Sequence, residues 1–134
     1  MEIALRAALL DWLAADPAIA DACNVLAEEA PSEARPPWLG ITASASADWS
    51  TKTRAGAEVR VALELQTRGD DPATALALVQ AIDARALALA ETTDARVVSA
   101  HFLRSRSAAR PRHLRAHLRE YRFRLLAKHI GDQP

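Results

Sequence analysis

The chain is poor in the residues that most often carry chemistry or covalent rigidity. Its 134 residues include one cysteine, Cys23, four glycines and 4% aromatics. One cysteine excludes an internal disulfide, which fits a reducing compartment or a fold that needs no staple. Four glycines leave little room for a phosphate-cradling loop, and neither such a loop nor a GxSxG elbow is present. No apolar run approaches the roughly 18 residues of a membrane span. The N-terminus is apolar but carries Glu2, Arg6 and Asp11 at helical intervals, unlike a secretory signal. The expectation is a soluble protein. Half the residues are hydrophobic, dominated by Ala and Leu, so the core must come from helices packed closely on a sheet.

What is present is an uneven charge. The formal net charge is zero, yet residues 1–100 hold 15 acids and 8 Lys/Arg, a net of −7. Residues 101–134 hold 2 acids and 9 Lys/Arg, a net of +7, and all four histidines, His101, His113, His117 and His129. Either acidic helices and basic strands neutralise each other within one fold, or one surface is acidic and another basic. The length suits one domain, read here as residues 1–128 followed by a short tail, 129–134.

Periodicity gives an α+β domain. Residues 2–15 read as a helix with Leu5, Leu9, Trp12 and Leu13 on one arc. Asp16-Pro17 ends it and starts a short second helix. Residues 24–30 suit a short strand and the PSEARPP segment a connector. Residues 38–47 alternate weakly. Residues 58–67 alternate clearly, with Val59, Val61, Leu63 and Leu65 on one side. Gly69-Asp70-Asp71-Pro72 opens a helix running to about residue 90, whose core face is Ala75, Leu78, Val79, Ile82, Ala86 and Leu89. Residues 95–106 form a strand, 107–112 a connector and 113–128 a last strand. Its apolar phase switches from Leu114, Ala116 and Leu118 to Tyr121, Phe123 and Leu125, which predicts a bulge near Arg119-Glu120; a helix over 113–120 is the alternative. The expected architecture is one mainly antiparallel sheet of about four strands with two main helices on one face.

Candidate chemistry is sparse. Cys23 reads as a small core residue, not a nucleophile with a base. His113 and His117 are four apart but lack further ligands nearby, so no metal site is expected, nor any cofactor or catalytic residue; the histidines read as surface residues. Glu28-Glu29 and Asp70-Asp71 read as a turn and a helix cap. Arg104, Arg106, Arg110, Arg112 and Arg115 cluster around the last connector. They read either as a solvated hairpin end that blocks edge aggregation or as a phosphate-contacting patch, the basis of an alternative reading as a small nucleic-acid-binding module. Trp49 stands in the polar loop ADWSTKTRAG with Asp48, Lys52 and Arg54. It either folds back over the sheet edge or anchors a protein contact, since Trp and Arg are the commonest interface anchors.

The segments MEIALRAALLDWLAADPAI, DWSTKTRAGAEVRVALELQTR, DPATALALVQAIDARAL and RVVSAHFLRSRSAA, in that order over residues 1–128, resemble the tail-terminator (tail-completion) proteins of gene transfer agents and siphophages. The resemblance implies a sheet with helices against it and no catalysis. It implies a hexameric ring of identical subunits that caps the major tail tube protein, joins the head-side connector and lets DNA pass through its lumen. On that reading Asp48, Trp49, Lys52 and Arg54 meet a neighbouring copy or the tube. Arg104, Arg106, Arg110, Arg112 and Arg115 line either the lumen or a subunit contact. The family's Pro-Asp-Gly-like turn is replaced here by SAARPRH.

Overall fold

The computed structural model describes residues 1–29, 35–69 and 73–128. The expected caps at Asp70-Asp71, part of the PSEARPP connector, His129 and the tail 129–134 lie outside the described residues.

Helix α1 (Glu2–Ala14) buries Leu5, Leu9 and Leu13 completely, the arc the periodicity marks. Asp16 then caps helix α2 (Pro17–Ala22), its Oδ1 accepting from the Ala18 amide at 2.9 Å. Strand β1 (Val25–Ala27) follows, then β2 (Trp38–Asp48), β3 (Gly56–Arg68), helix α3 (Ala73–Leu87), β4 (Ala95–Arg110) and β5 (Leu114–Ala127). One sheet holds all the strands, in the order β1-β2-β3-β5-β4.

The sheet corrects the sequence expectation. Among the described residues it has five strands and is mixed: β1 runs parallel to β2, and every other pair is antiparallel. The strand that the four-strand count left out is β1, marked in the sequence over residues 24–30; it is three residues long and pairs with Trp38–Gly40 among the described residues. A run that short shows no period of its own.

Alternation along β3 and β5 fixes the two faces. Val59, Val61, Leu63 and Leu65 of β3 and Tyr121, Phe123 and Leu125 of β5 meet the helices in one core, and each is fully buried. On α3, Ala75, Ile82, Ala86 and the following Leu89 are buried, and Leu78 and Val79 pack beside them. Cys23 joins this core, where burial pushes its thiol up. Complete burial of the larger side chains contributes roughly 1.5–3 kcal/mol each.

Polar contacts lock the helices in place. The Trp12 indole donates to the Arg85 carbonyl and Arg85 Nε donates to the Trp12 carbonyl, each at 2.7 Å, with the guanidinium 3.3 Å from the Trp12 ring centre. That pair joins α1 to α3. Asp83 then ties α3 to β5, accepting from Arg119 and from the Tyr121 hydroxyl.

Two further expectations change. The predicted bulge in β5 is absent: β3 and β5 pair without a slip from Gly56↔Leu126 to Arg68↔Leu114. The slips fall in the edge strand β4, at Val98 and Leu103, and in β2 at Thr42. Leu114, Ala116 and Leu118 therefore lie on the sheet face away from the helices. Buried Ala116 shares a ladder row there with Gln66 and buried Trp38, whose indole donates to Gln66 Oε1 at 3.1 Å. The phase switch in β5 records two apolar patches on opposite faces. Nor do residues 107–112 form a connector. β4 continues to Arg110, and the chain reverses in a single 3-10 turn, Pro111–His113, with Arg112 and His113 at positive φ.

Candidate functional site

The two candidate groups lie at opposite ends of the sheet. The β2–β3 loop adjoins Gly56, which pairs with Leu126 of β5. The β4–β5 turn adjoins Leu114, which pairs with Arg68 at the far end of β3. A 13-residue strand separates them, about 40 Å at 3.4 Å per residue.

The loop is built by its own hydroxyls. Ser50 Oγ donates to Asp48 Oδ1 at 2.6 Å and accepts from the Gly56 amide at 3.0 Å. Thr51 Oγ1 accepts from the Arg54 amide at 3.0 Å, and the Thr51 amide donates to the Arg54 carbonyl at 2.8 Å. These are the local side-chain-to-backbone bonds that hydroxyl residues make in turns. Gly56 closes the loop because nothing larger fits: a Cβ there would stand 2.7 Å from the Leu125 carbonyl oxygen and collide with the Trp49 carbonyl. Trp49 is half-buried, with the Arg124 guanidinium 5.5 Å from its ring centre. Asp48 and Lys52 are exposed and Arg54 is half-buried. All four sequence-predicted loop residues are thus gathered on one rigid hairpin end, and part of the Trp49 ring remains open to an incoming surface.

The predicted arginine group is divided. Arg104, Arg106 and Arg110 pair with Glu120, Leu118 and Leu114 and lie on the helix-free face. Arg112 sits in the turn. Arg115 pairs with Thr67, a residue of the core-facing row, and so lies on the other face. The helix-free face gains basic residues that the sequence reading did not group: Arg60 and Arg68 from β3, and Arg122 and Arg124 from β5. Their signal was the even-numbered register of β3 and β5, opposite in parity to the buried Val59–Leu65 and Tyr121–Leu125 rows. Acids interrupt the patch. Arg104 pairs with Glu120, and Glu58 Oε1 takes Arg124 at 3.2 Å and Arg122 at 3.6 Å. The helical layer carries the acids Glu2, Asp11, Asp16, Asp21 and Asp83. That layer is therefore net acidic and the helix-free sheet face net basic, while most of the described acids lie outside the helices, on strands and loops.

The histidines separate too. His101 and His113 are exposed, but His117 is buried, against expectation. It bridges Thr67 Oγ1 at 3.3 Å and Ser107 Oγ at 3.2 Å, linking β3, β5 and β4. Burial, then the charges of Arg115 and Arg119, hold its pKa below the ordinary imidazole value. Among the described residues no group of three or more His, Cys, Asp or Glu could hold a metal ion. Among those residues, too, no helix is long and apolar enough to cross a membrane.

No curated protein sequence matches the chain. Among solved structures, a chain of the virion of a native gene transfer agent particle superposes with a TM-score of 0.77 at 24% identity, covering 92% of this chain and 95% of that one. That likeness establishes the fold. The sequence profile of the tail completion protein gp17 family matches residues 7–126. Because that match spans nearly the whole described sheet and its helices, the chain belongs to the tail completion protein gp17 family, a family of structural components of virion tails.

Proposed function

We propose that this protein is the tail terminator of a gene transfer agent or siphophage-like particle. Six copies form a ring that caps the tail tube and joins it to the head-side connector. The observation that carries this reading is the family match over residues 7–126 on a subunit whose sheet has one face covered by helices and the other basic. The fold shared with a chain of a gene transfer agent virion supports the particle type.

In this assembly the sheets stand as a wall around the lumen, helices outward. Arg60, Arg104, Arg106 and Arg110 then face the DNA path, where Lys/Arg–phosphate attraction is sequence-independent. Partial neutralisation by Glu58, Glu64 and Glu120 suits a surface that DNA must slide past. The two ends of the sheet become the two rims. The Asp48–Arg54 loop meets one axial neighbour, taken here as the tail tube, and Trp49 is its anchor. Cryo-electron microscopy of purified tails tests the reading. It requires a ring of this chain at the head-proximal end of the tube, with the Trp49 loop in a protein contact. Tails that lack the chain would overturn it.

The basic face also favours a second reading, a monomeric nucleic-acid-binding module. Its aromatics argue against base recognition: Tyr121 and Phe123 are buried in the core, and Trp38 is buried on the other face. Binding of the free monomer to nonspecific duplex, with a steep salt dependence, distinguishes it.

A further inference from the structure

We propose that neighbouring copies in the ring join by strand pairing, the Ala43–Asp48 edge of one copy against the Arg104–Arg110 edge of the next; this rests on the ring reading above. The sheet has two open edges among the described residues. On β2 only Trp38–Gly40 has a strand outside it, the short β1. From Ala43 to Asp48 the strand is regular and exposed or half-exposed, with the sequence ASASAD. It carries no proline, lysine, arginine or bulge, devices by which proteins block edge pairing, and its one charge is Asp48 at the end. An edge left so unguarded is a template for another strand.

On β4 the first residues are covered, since the Val97 amide bonds the Ala90 carbonyl and Glu91 bridges Arg96. The next stretch is broken by the bulges at Val98 and Leu103. Only Arg104–Arg110 is both regular and open among the described residues. Each edge thus offers one uninterrupted stretch of nearly equal length, and the three arginines that guard the second against its own kind meet a first that carries no basic residue.

The geometry of a ring suits this pair. β2 and β4 run in opposite directions within the sheet. Rotation about an axis along the strands therefore brings them together antiparallel, continuing the alternation already present. The contact joins two different patches of one chain, which is what a closed ring requires. Through the ladder, Ala43 stands level with Arg104 and Asp48 with Val97. The Arg104–Arg110 stretch therefore lies about six residues further along, ~20 Å. A five-stranded sheet about 24 Å wide, with strands tilted about 35–45° as in closed sheets, introduces an offset of about that size per copy.

Register follows from the faces. The faces must stay continuous across the junction, so core-side residues oppose core-side residues. Centring the two stretches places Ser46 opposite Ser107 and Ala47 opposite Arg106. Alanine at 43, 45 and 47 leaves room for the arginine stems on the helix-free face. Arg106 then lies over Ala47 and points toward Glu58, the ladder partner of Ala47.

The test is a cysteine cross-link in assembled tails carrying Ser46→Cys and Ser107→Cys together. Opposed strand residues have Cα separations that a disulfide spans, and Cys23 is buried. Mild oxidation is expected to give a ladder of covalent multimers on a non-reducing gel. Neither single variant should do so, nor the opposite-face pair Ala47→Cys with Ser107→Cys. A second pair, Ser46→Cys with Ser105→Cys, covers a register slip of two. Ala45→Lys with Ala47→Lys is expected to abolish ring formation while the circular dichroism spectrum is unchanged. If tails contain the chain yet neither cysteine pair cross-links, or the lysine variant still forms rings, edge pairing is overturned and the terminator reading stands. If wild-type tails lack the chain, both readings fall.

Discussion

Single residues carry two separable constraints in this fold. Gly56 is the point where the β2–β3 hairpin, β5 and the Trp49 backbone converge, and a methyl group there collides with backbone atoms that no rotamer can move. Gly56→Ala is therefore expected to cost about 1–3 kcal/mol, read as a lowered chemical-denaturation midpoint with an unchanged slope. His117 imposes a pH dependence. Its folded pKa lies below its unfolded one, because burial and then Arg115 and Arg119 disfavour the imidazolium. Below the ordinary histidine value of about 6.5, the unfolded chain takes up the proton first. Stability then falls as pH drops, until the folded pKa is also passed. His117→Gln, which keeps hydrogen-bonding capacity toward Thr67 and Ser107, should remove that part of the slope. Equal slopes in wild type and variant between pH 5 and pH 7 would show that His117 does not supply it. Nothing in the sequence separates this buried histidine from its exposed neighbours. His117 is buried because it lies in the core-facing row of β5, between Thr67 and Ser107 of the flanking strands.

Elements are held by a few specific contacts laid over a broad apolar interface. Asp83 accepts from both Arg119 and Tyr121. Burial, then the hydrogen bond to Asp83, push the tyrosine hydroxyl far above its usual range. Asp83→Ala strips both donors of their acceptor and is expected to cost about 1.5–3 kcal/mol. The same substitution in a Tyr121→Phe background should cost less, and a double-mutant cycle reads the difference. Helices and core strands were legible in the sequence because each buries one face against a single layer. The heptad-like arc of α1, the core face of α3 and the alternation of β3 all stand where periodicity marks them. Strands β4 and β5 were legible as strands, but the placing of their bulges and the length of β4 were not, for one physical reason. An apolar residue on a strand shows that a face is covered, not which face. Trp38 and Gln66 shelter Ala116 on the helix-free side, so the parity change in β5 mimicked a bulge. The true bulges at Val98 and Leu103 lie in an exposed edge strand, where no hydrophobic pattern records them.

At the scale of the whole molecule, the subunit is polar in two senses: acidic helices against a basic sheet face, and a tryptophan loop at one end against an arginine turn at the other. The loop was legible as a polar hairpin end, but residue type alone left open whether its tryptophan packs back on the subunit or meets another protein. The arginine group was only half legible, since the face of each arginine depends on strand register. Trp49 separates folding from assembly. Within the subunit Trp49 is half-buried and, among the described residues, its ring stacks against the Arg124 guanidinium, a cation–π contact of roughly 0.5–1 kcal/mol at an exposed site. The hairpin is fastened instead by Ser50, Thr51 and Gly56, through bonds that do not use the indole. Trp49→Ala should therefore lower monomer stability by only about 1 kcal/mol, while an interface anchor of this type contributes about 2 kcal/mol or more to association. The expected outcome is a folded subunit, normal by circular dichroism and with its melting temperature lowered by only a few degrees, whose incorporation into purified tails falls by roughly 30-fold or more. Lys52→Ala, on the exposed shoulder of the same loop, should reduce it far less. Normal tail incorporation of the Trp49 variant would mean that the ring packs only within the subunit, and that the loop owes its tryptophan to Arg124.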